Sequence, residues 1–125
     1  MNSGVIFGGC GFIGLYFAEK ALDINLFDNL YLVDIREPED SVGKLKFKKL
    51  LDTGKVKFLK RDVRENLNDI LIEKNLTTIL NFAAIHREPG HQAYEYGETN
   101  ISGAKNVCDF AKFNNCKNFA LEVII

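Results

Sequence analysis

Val5-Ile6-Phe7-Gly8-Gly9-Cys10-Gly11-Phe12-Ile13-Gly14 changes its periodicity half-way along. Three apolar residues in a row read as a buried strand and the glycines as a turn. From Phe12 onward Ile13, Phe17 and Ala21 recur every four residues, the spacing of one helix face. Strand, glycine turn and helix therefore open the chain. Gly8, Gly11 and Gly14 lie three apart and Gly9 adds a second frame, so the segment satisfies both G-x-x-G-x-x-G and G-x-G-x-x-G. Either spacing alone carries little information. Its context carries more, because an acid, Asp34, stands twenty residues after Gly14 at the end of a second apolar run, Leu30-Tyr31-Leu32-Val33.

The same alternation continues outward. A third run, Val56-Lys57-Phe58-Leu59, ends in Lys60-Arg61-Asp62, and a fourth is Thr78-Ile79-Leu80-Asn81-Phe82. The last, Asn118 to Ile125, is a fifth strand candidate. Between them, Ser41 to Leu51 reads as a helix with Gly54 as its stop signal, and Leu67, Ile70 and Leu71 as a short helix. Ala93 to Phe113 reads as a long helix with Ile101, Ala104, Cys108 and Ala111 on one stripe. Five apolar runs separated by helices predict an α/β fold: a doubly wound parallel sheet in the order 3-2-1-4-5, with helices on both faces. Ligands of such sheets bind beyond the carboxyl ends of the strands where the strand order reverses, here between the first and fourth.

The length of 125 residues suits one domain with a single core. A hydrophobic share of 46% against 26% charged residues, with two prolines, predicts a globular chain without a disordered linker. A net charge of -1 leaves no field to attract polyanions, which argues against nucleic acid or an acidic membrane as partner. Lys44-Leu45-Lys46-Phe47-Lys48-Lys49 interleaves lysines with Leu45, Phe47, Leu50 and Leu51, as a solvated helix face does. Three cysteines, odd in number and without CxxC spacing, predict neither a disulfide framework nor a zinc site and suit a reducing cytoplasm. Met1-Asn2-Ser3-Gly4 has no basic leader region, and no window approaches a membrane span.

The glycine turn needs a chemical reason. A backbone without Cβ can approach a pyrophosphate closely, and that anion then faces the open amides and positive dipole end of the helix. Asp34, acceptor-only when ionised, suits the two hydroxyls of an adenosine ribose. A 2′-phosphate there would meet a like charge at about 4 Å, costing on the order of 4 kcal/mol per unit charge at an effective dielectric of 20. NAD is therefore favoured over NADP, although Arg36, with Ile35 between, offers a counter-charge that a 2′-phosphate could use. A solvated strand-end carboxylate is the alternative for Asp34.

With those residues in place, the chain resembles the extended short-chain dehydrogenase/reductases, in particular the NAD-dependent sugar-nucleotide epimerases and dehydratases. The resemblance rests on Phe7 to Gly14, Asp34, Arg61-Asp62-Val63-Arg64, Phe82-Ala83-Ala84 and Thr99-Asn100-Ile101-Ser102-Gly103, and runs from Val5 to about Leu121. It implies a cofactor site made of Gly8, Gly11, Phe12, Ile13, Gly14, Asp34, Ile35, Arg36, Asp62, Val63, Phe82, Ala83, Ala84 and Asn100. Asp62 and the Val63 backbone would read the adenine, and Ala83 with Ala84 would pass under the phosphates and nicotinamide ribose. Asn100 would be the family's structural asparagine behind the active site. Each has a plainer reading: Asp62 as the cap of the next helix, Ala83-Ala84 as small residues after a strand, Asn100 as an ordinary polar helix residue.

The departures bear on activity. The family usually has Thr where Phe7 stands. After its fifth strand come a Ser/Thr-Ser pair and then Tyr-x-x-x-Lys on the next helix, the groups that move a proton as the nicotinamide moves a hydride. Here Val123 and Ile124 occupy the serine positions. Tyr16 and Lys20 have the Tyr-Lys spacing, but on the first helix. The expectation is one NAD-binding domain, residues 1–125, truncated before the catalytic helix and the substrate domain, with no catalytic residue of its own. A non-enzymatic NAD(H) sensor and a non-functional remnant are the alternatives. In the intact family a nucleotide-sugar is the implied substrate, and the helix from Ala93 to Phe113 would pair in a homodimer. His86-Arg87-Glu88-Pro89-Gly90-His91 sits where the family's substrate loop lies, and its spacing argues against a metal site and for a solvated turn, with a place for His86 or Arg87 near a substrate phosphate as the alternative. Cys10 reads as a small packing residue, with a redox-sensing thiol at a helix N-terminus as the alternative.

Overall fold

In the computed structural model, residues 2–70, 72, 75–83 and 97–121 are described. Five strands, β1 (Ser3–Phe7), β2 (Asn29–Asp34), β3 (Val56–Lys60), β4 (Leu76–Asn81) and β5 (Asn118–Leu121), form one sheet in the order β3-β2-β1-β4-β5. Every neighbouring pair is parallel, with Phe7 opposite Val33 on one side and Asn81 on the other. The expected order is thus the observed one, and it reverses between β1 and β4.

Alternation along each strand divides the core. Val5, Phe7, Tyr31, Val33 and Ile79 face one layer, packed against Val107, Phe110 and Ala111 and against Val63, Leu67 and Ile70. Ile6, Leu30, Leu32 and Leu80 face the other, under α1 (Phe12–Asp23) and α2 (Ser41–Asp52), which contribute Leu15, Ala18, Ala21, Phe47 and Leu50. Strands buried on both faces must be apolar at consecutive positions, which is why they read as unbroken runs. α2 is capped by Asp40, whose carboxylate accepts from the Gly43 N–H at 3.0 Å, and it ends at Gly54, where φ is +75°. The α2 lysines follow the solvated-face reading, with Lys44, Lys48 and Lys49 exposed.

Three helix expectations change. The α1 stripe is rotated: Gly14, Leu15, Ala18 and Ala21 are buried, whereas Ile13 is exposed. The cause is local, since Gly14 is seated on the backbone of the turn and that contact turns Leu15 and Ala18 toward the sheet. Leu67 and Ile70 are buried as a helix face would be, yet residues 62–70 form turns, not a helix. Here Asp62 and Asn66 bond the N–H groups two residues on, Arg64 at 2.9 Å and Asn68 at 2.8 Å, and such turns compete with helix formation. Finally, the described part of the long helix is a π-helical turn, Gly97–Ser102, leading into α3, Gly103–Phe113. The buried stripe is Gly103, Val107, Phe110 and Ala111, while Ile101 and Cys108 are exposed. The larger Phe110 takes the inward position, edge-on to Phe7 at 5.5 Å.

Candidate cofactor site

The ends of β1, β2, β3 and β4 bring most of the expected residues to one edge of the sheet. Gly8 turns the chain sharply after β1, with φ +74° and its N–H on the Val33 carbonyl at 2.8 Å. A Cβ on Gly8 would lie 2.6 Å from Ala83 N and Phe82 C, so this glycine lets the loops after β1 and β4 touch. Gly14 is equally constrained, because a Cβ there would meet the Gly8 carbonyl oxygen at 2.7 Å. Gly11 differs. It caps α1 with φ -75° and ψ 171°, and its nearest neighbour to a Cβ, Gly8 O, is at an ordinary 3.5 Å. The contacts within the protein do not require glycine there. α1 has no side-chain cap and no acid in its first turn, which leaves the amides of its start uncapped. Phe12 and Ile13, in that first turn, carry exposed side chains.

Asp34 closes β2 beside this turn. Its Oδ2 accepts from the Cys10 N–H at 3.0 Å and its Oδ1 from the Ile35 N–H at 2.7 Å. Two donors hold the carboxylate in one orientation, and each oxygen retains a further acceptor position. Arg36 points to Glu39, Nε to Oε1 3.1 Å, in an exposed ion pair. The thiol of Cys10 is buried, and burial first, then the charges of Asp34 and Glu37, push its pKa up to about 12. A buried thiol beside carboxylates is held protonated, which fits Cys10 as a packing residue.

Beyond β3, Asp62 faces Arg64, whose Nη2 lies 2.6 Å from Oδ2 and whose Nε lies 3.1 and 3.0 Å from the two oxygens. The guanidinium holds the Asp62 carboxyl below the usual carboxylate range. Val63 is buried, and its carbonyl accepts from Asn106 Nδ2 of α3 at 2.8 Å. Beyond β4, the Asn81 side chain, almost fully buried, accepts from the Ala83 N–H at 3.0 Å and shapes the loop under Gly8. Phe82 and Ala83 are half-buried. Asn100 lies in the π-helical turn, half-buried and with a polar partner. Ala84 and the segment from His86 to His91 lie outside the described residues, among which no metal-binding cluster occurs. Two contributors, Asn81 and Asn106, were not singled out from sequence. A polar residue at the end of an apolar strand was a signal for Asn81, whereas nothing local marks Asn106.

Residues 5–122 match the family described as GDP-mannose 4,6 dehydratase, one of the extended short-chain dehydrogenase/reductase families. The chain belongs to this family. Among curated proteins, the sterol-4-alpha-carboxylate 3-dehydrogenase (decarboxylating) of Saccharomyces cerevisiae is 28% identical over 115 residues, covering 90% of this chain and 31% of that protein. The fold is shared with a dTDP-glucose 4,6-dehydratase from Streptomyces venezuelae solved with NAD bound, at TM-score 0.73 and 19% identity over 94% of this chain and 38% of that one. It is also shared with a UDP-galactose 4-epimerase, at TM-score 0.74 and 16% identity over 95% and 37% of the two chains. The chain thus spans about a third of the length of the relatives it matches. Among the described residues no helix is long and apolar enough to cross a membrane.

Proposed function

We propose that this chain binds NAD across the carboxyl edge of its sheet, as the cofactor-binding part of an NAD-dependent epimerase, dehydratase or dehydrogenase of this family. The observation that carries the reading is the contrast among the glycines: Gly8 and Gly14 are demanded by backbone contacts within the protein, and Gly11 is not. A glycine that the fold does not require, at the uncapped start of a twelve-residue helix, fits the approach of a pyrophosphate. Asp34, held by two amides, would accept from the adenosine ribose hydroxyls and oppose a 2′-phosphate. Arg36 is drawn toward Glu39, which supports NAD over NADP. Asp62 and Val63 would meet the adenine, and the loop after β4 would run under the other half of the dinucleotide.

When bound, NAD supplies a two-electron acceptor; the chain's residues bind and orient it. At the positions of the family's Ser/Thr-Ser pair this chain has Val123 and Ile124. That substitution favours, as a second reading, a domain that senses NAD(H) without turnover. Proteins named for a sterol carboxylate and for dTDP-glucose match this chain over about a third of their own length, so the match by itself does not select between those substrates.

Isothermal titration with NAD and NADP tests the proposal. A true site at one hundred times its Kd adds about 2.7 kcal/mol to stability, readable as a thermal shift. NAD binding that Asp34→Ala weakens at least tenfold is expected; failure of either nucleotide to bind overturns the reading.

A further inference from the structure

One tertiary contact ties the base end of this site to a distant helix. Asn106 Nδ2 donates to the carbonyl of Val63 at 2.8 Å across 43 residues of chain, at a part-buried position. The turn that contains Val63 is also held by its neighbours, with the Glu65 N–H on the Asp62 carbonyl at 3.0 Å and Arg64 on the Asp62 carboxylate, by the Arg61 N–H on the Asp34 carbonyl at 3.0 Å, and by the buried Val63 side chain. Those contacts fix the start of the turn and the Val63 side chain, and leave the Val63 carbonyl to a partner from elsewhere. Asn106 supplies that partner from a firm base, because α3 is anchored in the core by the fully buried Val107 and Phe110.

We propose that Asn106 is a positioning residue for the base end of the cofactor: by holding the Val63 carbonyl it fixes the Asp62–Val63 turn as a ledge that tells adenine from its 6-oxo counterpart. The inference rests on the NAD reading above. The chemistry is a matter of polarity. Adenine presents a donor at its 6-amino group and an acceptor at N1, which suit an ionised carboxylate followed by a backbone N–H. Hypoxanthine presents an acceptor at O6 and a donor at N1–H, the reverse at both places. Discrimination by such a pair depends on the two protein groups keeping a fixed spacing, and a shift of the peptide that carries the Val63 carbonyl would disturb it. Asn106 makes this contribution without touching the base.

The test measures the Kd of the chain for NAD and for nicotinamide hypoxanthine dinucleotide, in the parent and in Asn106→Asp, Asn106→Ala and Asn106→Gln, in the cold, with thermal melting establishing that each is folded. The parent is expected to prefer NAD about tenfold or more. Asn106→Asp keeps the size and loses the donor, and its preference should fall to about twofold, through weaker NAD binding and little change for the hypoxanthine analogue. Asn106→Ala should behave likewise, and Asn106→Gln, which restores an amide donor, should recover part of the preference. Equal weakening of both ligands in the variants would mean a general structural role and would overturn the proposal, as would an undiminished preference. A parent that binds both dinucleotides equally removes the ledge and leaves the NAD reading standing; a parent that binds neither removes both.

Discussion

Gly11→Ala should leave this protein folded and cost it the nucleotide, whereas Gly8→Ala should do its damage to the fold. At Gly11 the backbone, φ -75° and ψ 171°, is one alanine adopts freely, and the new methyl would sit 3.5 Å from its nearest neighbour. Alanine is the poorer helix cap by roughly 0.5 kcal/mol, and the stiffer unfolded chain returns about 0.4–1 kcal/mol, so the net change is close to zero. At Gly8 the left-handed φ of +74° costs a side chain about 1–2 kcal/mol. A Cβ at 2.6 Å from the backbone of Phe82 and Ala83 must then push two loops apart, for about 1–3 kcal/mol more. The sum of roughly 2–5 kcal/mol is a large part of what holds a domain together. Urea unfolding of both variants measures stability, and titration with NAD measures the site. Gly11→Ala should show a midpoint near the parent's and a Kd raised more than tenfold. A Gly11→Ala protein that binds NAD as the parent does would refute the reasoning, because the open side of that glycine would then face no ligand.

Phe110→Ala removes the ring that packs edge-on to Phe7 at the centre of one core layer and should cost about 3–5 kcal/mol in urea unfolding; a loss under about 1 kcal/mol would show that α3 does not anchor that layer. Cys10, its thiol pushed up to about 12 by burial and by Asp34 and Glu37, should resist alkylation at pH 8 while the exposed Cys108 reacts, as peptide mass spectrometry reads directly; rapid labelling of Cys10 would contradict the buried site. The Asp62 carboxyl is lowered by its hydrogen bonds with Arg64, so its folded pKa lies below the unfolded one. Its contribution is then complete above the unfolded pKa and is lost as pH falls through that value toward the folded one. Arg64→Ala should therefore flatten the loss of stability as pH falls below the ordinary carboxylate range, and an acid limb unchanged by the substitution would remove Arg64 as the cause.

The strands were legible because burial on both faces leaves no choice but consecutive apolar residues. Their order is one of the common orders of a doubly wound sheet, which the alternation of strands and helices called for. The glycine turn and Asp34 were legible too, since each stands next to a strand end whose position the apolar run marks. What sequence could not settle was rotation and angle. Ile13 and Leu15 are equally apolar, as are Cys108 and Phe110, and periodicity cannot say which of two overlapping stripes turns inward. That was decided by Gly14 seating on the turn backbone and by Phe110 reaching Phe7. Leu67 and Ile70 carry helical spacing without a helix, because Asx turns at Asp62 and Asn66 take the backbone elsewhere. The bond from Asn106 to Val63 left no local mark at all. Spacing along the chain records what each element needs for itself; a contact between groups 43 residues apart exists only once the core has brought α3 against the sheet.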